Sequence, residues 1–197
     1  MGGVFVVRLI GFSGSLRRGS YNSALLRAAA ALMPADSRLE IASIAAIPLY
    51  NADDEAAHGV PAAVSQLKEA IVAADGLLLV TPEYNNSIPG VAKNAVDWLS
   101  RPSSDIAKVF RGRPVAIAGA SPGGFGTTLA QTAWLPVLRT LGTDFWAGGR
   151  LMVPRAGTVV GADGEIADAA TREAIQKFIG EFVAHIRSQL ERAAPPR

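Results

Sequence analysis

The chain has 197 residues, of which 49% are hydrophobic and 18% charged, a balance that suits one compact domain with a sizeable core and excludes a disordered segment. It contains no cysteine and only two histidines, His58 and His185; this removes disulfides, thiolate catalysis and cysteine-ligated metals, and no metal site is expected. A net charge of +2, with arginines scattered rather than clustered, argues against nucleic acid as a partner.

Taken in chain order, short apolar runs alternate with helical patterns. Strands are predicted at 4–11, 37–44, 76–82, 114–121 and 149–154, each bounded by Gly, Pro, Ser or Asp and reading as buried on both faces, the second least clearly. Helices are predicted between them at 20–33, 61–74, 89–100, 126–141 and 170–192. The last carries Ile175, Phe178, Ile179, Phe182, Val183, Ile186 and Leu190 on a single stripe. Such alternation means right-handed βαβ units and an α/β fold whose parallel sheet is covered on both faces. No apolar run approaches the ~18 residues of a membrane helix, so no membrane partner is expected. The first residues show neither a basic n-region nor a small-residue cleavage pattern, which makes the cytoplasm the expected compartment. Residues 1–192 read as one domain, with 193–197 as a frayed tail.

In a sheet of this kind ligands sit beyond the C-terminal ends of the strands. That singles out the loops 13–22, 81–90 and 119–128, all rich in Gly, Ser, Asn and Thr. The first, SGSLRRGSYN, places Gly14 and Gly19 at P-loop spacing but has Ser20 where that motif needs lysine, and it lacks the G-x-G-x-x-G of a dinucleotide clasp. It does offer hydroxyls at Ser13, Ser15 and Ser20, guanidiniums at Arg17 and Arg18, and an amide at Asn22, opening onto a helix N-terminus. Those groups suit one terminal monophosphate; the competing reading is a solvated turn in which Ser20 only caps the helix. In the third loop, Gly119 to Gly123 matches the G-x-S-x-G nucleophile elbow, with His185 downstream. The residue after Ser121, however, is Pro122, which has no N–H for an oxyanion hole. His58 reads as a solvated surface residue in a loop.

The segments GSLRRGSYN, IPLYNADDE, TPEYNNSIPGVAKNAVDWLSRP and PVAIAGASPGG together resemble the NADPH-dependent FMN reductase family, closest to its quinone and chromate reductase branch. The resemblance implies a flavodoxin-like three-layer sandwich with strand order 2-1-3-4-5, bound FMN, NADPH or NADH as donor, and homodimers or homotetramers with the flavin near a subunit interface. It implies that the FMN phosphate meets Ser15, Arg17, Ser20, Tyr21 and Asn22. It further implies an isoalloxazine ring along Pro82, Glu83, Tyr84 and Asn85, with Ser121 and Gly123 near its pyrimidine edge. Hydride would pass from the nicotinamide to the flavin and on to a small acceptor (a quinone, free flavin, an azo compound or chromate) in ping-pong fashion, with no side chain needed as acid, base or nucleophile. Two other readings stand beside it: an FMN-binding electron carrier of the flavodoxin type, and a serine hydrolase using Ser121. The near balance of 17 acids and 19 bases and the two loop arginines weigh against the carrier, whose docking surface is typically strongly acidic.

Overall fold

The computed structural model describes residues 6–193. Its elements run β1 (Val7–Ser13), α1 (Tyr21–Ala31), β2 (Ser37–Ala42), α2 (Ala52–His58), α3 (Ala62–Ala73), β3 (Gly76–Val80), α4 (Gly90–Leu99), α5 (Ile106–Val109), β4 (Pro114–Ala120), α6 (Thr128–Leu141), β5 (Asp144–Phe145), β6 (Leu151–Val153) and α7 (Ala169–Ala193). The strands form one parallel sheet in the order β2-β1-β3-β4-β5, with β6 also paired to β4. This is the flavodoxin-like order that the sequence resemblance implies.

Alternation along each strand sorts the core into two layers. Val7 and Leu9 of β1, Leu78 and Val80 of β3, and Ala116, Ala118 and Ala120 of β4 pack against α1 and α7. Ile10 and Phe12, Leu77 and Leu79, and Val115 and Ile117 pack on the other face against α3, α4, α5 and α6. Strands β3 and β4 are buried at every position, as continuous apolar runs in a doubly covered sheet require. The apolar stripe predicted on the last helix is buried from Ile175 to Ile186, while Leu190 lies exposed near the helix end.

Three features differ from the sequence expectation. The fifth strand position, expected at 149–154, is shared by two pieces: β5 opposite Pro114 and Val115, and β6 opposite Ala118 to Ala120. Between them the chain wraps over its own Trp146, so closely that a Cβ on Gly148 would lie 2.5 Å from the indole nitrogen. Residues 52–58, expected as a loop containing His58, form α2. Asn51 caps it through Asp53 N–H, Asp53, Asp54 and Glu55 occupy its first turn, and Gly59 ends it at φ 75°, a complete set of start and stop signals. Finally, α7 continues through Ala193, the first residue of the expected tail; 194–197, like residues 4 and 5 of the first predicted strand, lie outside the described residues.

The segment after β2 is fastened to α4. Asn94 Nδ2 and Trp98 Nε1 both donate to the carbonyl of Pro48 (2.8 and 2.9 Å), and Tyr50 N–H donates to Asn94 Oδ1. The Tyr50 hydroxyl and Arg101 Nε each donate to Glu55 Oε2 at 2.9 Å. The hydrogen bond from Arg101 holds the Glu55 carboxyl below the usual carboxylate range.

Candidate functional site

The three loops meet above the C-terminal ends of β1, β3 and β4. Gly14 N–H donates to Val80 O at 2.8 Å, and a Cβ on Gly14 would come within 3.1 to 3.2 Å of Ala92, Pro82 and Pro89. The first loop therefore rests directly on the second. A Cβ on Gly119 would lie 2.2 Å from Thr127 Oγ1 and 2.3 Å from Thr81 O, so that glycine is what lets the third loop turn back over β4.

At the start of α1, Ser20 is extended and its Oγ accepts from Ser23 N–H at 3.2 Å. Ser20 thus caps the helix, yet the cap leaves the N–H groups of Tyr21 and Asn22 without a hydrogen bond among the described residues. The first turn of α1 carries no acidic residue, so the positive end of the helix dipole is not neutralised from within. Ser20 is buried, whereas Arg17 and Arg18 are exposed. The Arg17 guanidinium folds back over the Tyr21 ring, 5.1 Å from its centroid, and donates to Gly19 O.

Of the residues expected from the sequence, Ser15, Arg17, Ser20, Tyr21, Asn22, Pro82, Glu83, Tyr84 and Ser121 line a single cavity of about 280 Å³, completed by Ala120 and Pro122. Asn85 and Gly123 do not line it. Asn85 and Asn86, at φ 49° and 60°, are the two central residues of a tight turn closed by reciprocal Tyr84 and Ser87 backbone bonds of 3.2 and 3.0 Å. Positive φ at both positions defines a type I′ turn, which asparagine tolerates. Gly123 N–H donates to Ser121 Oγ at 3.1 Å and so shapes the loop behind the cavity wall.

Two of the lining side chains are committed within the protein. Asn22 Nδ2 donates to Ala120 O and its Oδ1 accepts from Ala120 N–H, both at 2.9 Å; the amide locks the head of α1 to the end of β4. Glu83 Oε2 accepts from the N–H groups of Leu129 and Ala130, at 2.8 and 3.0 Å, capping α6 from another loop. What these two residues offer the cavity is backbone and shape.

A fourth loop, not singled out by the sequence reading, completes the rim. After β6, Arg155 N–H donates to Gly123 O (2.9 Å) and Ala156 N–H to Ser121 O (3.0 Å), while Gly157 packs beside the Tyr21 hydroxyl. The signal was Pro154 followed by a loop at the C-terminal end of the last predicted strand, a position equivalent to the other three.

The geometry also separates the elbow serine from its supposed base. His185 Nε2 lies 2.9 Å from Asp144 Oδ2, and Asp144 pairs with Pro114, the first residue of β4. Ser121 follows the last residue of that strand, about 20 Å away at the rise of an extended chain.

A flavodoxin-like sheet carrying an anion-receptive helix N-terminus beside a proline-stiffened platform defines a mononucleotide-binding protein. The chain matches the NADPH-dependent FMN reductase family over residues 7–158 and belongs to it; it is an oxidoreductase of the FMN and quinone reductase type. An NAD(P)H-dependent FMN reductase of Pseudomonas aeruginosa is 46% identical over 181 residues, covering 92% of this chain and 96% of that protein. A 2-hydroxy-1,4-benzoquinone reductase from a Burkholderia species is 38% identical, covering 89% of this chain and 94% of that one. The solved structure of FerB, a flavoenzyme NAD(P)H:(acceptor) oxidoreductase from Paracoccus denitrificans, superimposes with a TM-score of 0.82 at 33% identity, covering 93% of this chain and 98% of that one. Among the described residues no helix is long and apolar enough to cross a membrane.

Proposed function

We propose that residues 1–192 act as one FMN-binding domain that reduces small acceptors, quinones foremost, at the expense of NAD(P)H. The observation that carries this reading is the unneutralised head of α1: two unpartnered N–H groups, at Tyr21 and Asn22, border the same cavity as Ser15 and Ser20. A monophosphate accepts several such donors at once. In this reading Ser15, Arg17, Ser20, Tyr21 and Asn22 hold the FMN phosphate, Asn22 through its N–H. Pro82, Glu83 and Tyr84 form the ring platform, held by the turn at Asn85, with Ser121 at the pyrimidine edge and Gly123 supporting it from behind.

Bound flavin would accept hydride from NAD(P)H and deliver electrons to the acceptor at the same open face, which makes ping-pong kinetics the expectation. The chain supplies position. Pro82 and Pro89 restrict the backbone of the platform, and Glu83 ties it to α6, so the ring would rest on a surface that is stiff before the cofactor arrives. No side chain is assigned as acid, base or nucleophile. We place the protein in the cytoplasm as a homodimer or homotetramer with the flavin near a subunit interface. Support comes from Phe125 on the third loop, 89% exposed, and Leu49, 81% exposed on a segment pinned to α4, side chains whose exposure a partner copy would relieve.

The test is colour. Purified protein should retain FMN and be bleached by NADPH under anaerobic conditions, then recover its colour when a quinone is added. Retention of FMN without bleaching would favour the electron carrier instead. Arg17→Ala should weaken FMN retention roughly tenfold or more, because it removes a charge-assisted phosphate contact; Ser121→Ala should change it much less.

A further inference from the structure

We infer that Arg155 binds a phosphate of the nicotinamide dinucleotide and thereby helps set donor affinity. This rests on the proposed placement of FMN. Among the described residues, Asn85, Asn86 and Arg155 are the non-glycine positions with positive φ, and only Arg155 (φ 47°, ψ 41°) lacks the short amide side chain that tolerates it. Strain of this kind persists where the surroundings impose it and concentrates at functional sites. Here the surroundings are the site itself. Arg155 N–H is held by Gly123 O, its carbonyl accepts from Thr158 N–H and Thr158 Oγ1 (2.8 and 2.9 Å), and Ala156 N–H is held by Ser121 O.

The guanidinium is exposed and makes no ion pair or side-chain hydrogen bond among the described residues. Of the other arginines near the rim, Arg17 lies over Tyr21 and bonds Gly19 O, Arg27 pairs with Glu165 at 3.2 Å, and Arg18 is exposed on the first loop; Arg155 is the one whose backbone is fixed to the third loop at Gly123. The cavity, at about 280 Å³, lies just below the roughly 300 Å³ at which small-molecule sites begin. A donor stacked on the ring must therefore trail its phosphates across the rim, where an uncommitted guanidinium held beside Gly123 is placed to meet them. The diphosphate is common to NADH and NADPH, and the 2′-phosphate belongs to NADPH alone.

Arg155→Gly, Arg155→Ala and Arg155→Lys, prepared as FMN-loaded proteins, test the assignment. The glycine variant relieves the backbone, so its melting temperature should equal or exceed that of the wild type, and its FMN content should not change. Its Kd for NADP⁺, read by direct titration of the oxidised holoenzyme, and its KM for NADPH should each rise roughly tenfold, with the lysine variant intermediate. A rise confined to NADPH identifies the 2′-phosphate; an equal rise for NADH identifies the diphosphate. Unchanged dinucleotide affinity in the glycine and alanine variants would overturn the inference, as would loss of FMN from either. Bleaching of the wild-type holoenzyme reads the proposed function separately.

Discussion

At the N-terminal ends of the strands, Arg113 donates to the carbonyls of Val109 and Ala74 at 2.6 Å each, Asp75 accepts from Arg8 N–H at 2.8 Å, and Asp144 is shared by His185 and Gln189. At the C-terminal ends, a few residues along the same strands, Tyr21 and Asn22 keep their N–H groups unpartnered and the loops are built of glycines, prolines and residues at positive φ. One end is closed by side chains that satisfy the backbone, and the other is held open by side chains that shape it. Strand direction is the source of the asymmetry, because every βα loop, and so every helix N-terminus, falls on the same edge. The lower end can be judged by stability alone, the upper end by what it holds.

Substitutions at the two ends should therefore separate folding from cofactor retention. The largest expected effect is Gly119→Val, which drives a side chain into Thr127 and Thr81 O; it should cost about 3 kcal/mol or more in denaturant unfolding and abolish FMN retention together. Asn22→Leu removes both bonds to Ala120 and should cost about 2 kcal/mol, with FMN affinity falling because the head of α1 is no longer fixed to β4. Arg113→Met, at the closed end, should cost about 1–2 kcal/mol by stranding two carbonyls while leaving FMN stoichiometry intact; cofactor loss at constant stability there would break the comparison. The smallest effect is in pH dependence. Because the Glu55 carboxyl is depressed by Arg101, its contribution is fully present above the ordinary glutamate pKa of about 4.3 and is lost as pH falls through the depressed folded value. Glu55→Gln should flatten the acid limb of the melting-temperature profile without altering FMN retention.

Much of the scaffold was legible because buried parallel strands are written as uninterrupted apolar runs, GLLLV and PVAIAGA being the plainest. The split fifth strand was not. Asp144 and Phe145 form a strand of two residues with no periodicity of their own, set by pairing to Pro114 and Val115. Helix α2 was legible in principle, since Asn51, the acidic first turn and Gly59 mark it, but its residues are all exposed or half-buried and give no apolar stripe. At the site, the sequence identified which loops converge and could not say how their polar groups are divided between ligand and protein. Asn22 and Glu83 look like free donors and acceptors along the chain. Their partners lie 98 and 46 to 47 residues away, distances over which only the fold decides.

The alanines of β4 bear on how the cavity keeps its dimensions. Ala116, Ala118 and Ala120 present only methyl groups to the layer containing Ala24 and Ala28 of α1, so the spacing between the head of that helix and the loop after β4 is set by the thinnest side chains that still fill a core. They work as a gauge. A bulkier residue at 118 would lift α1 as a rigid rod, widening the gap between Ser20 and Ser121 while every group in the pocket remained present. Such a protein would contain the full set of binding residues at the wrong distance, and its defect would be one of calibration.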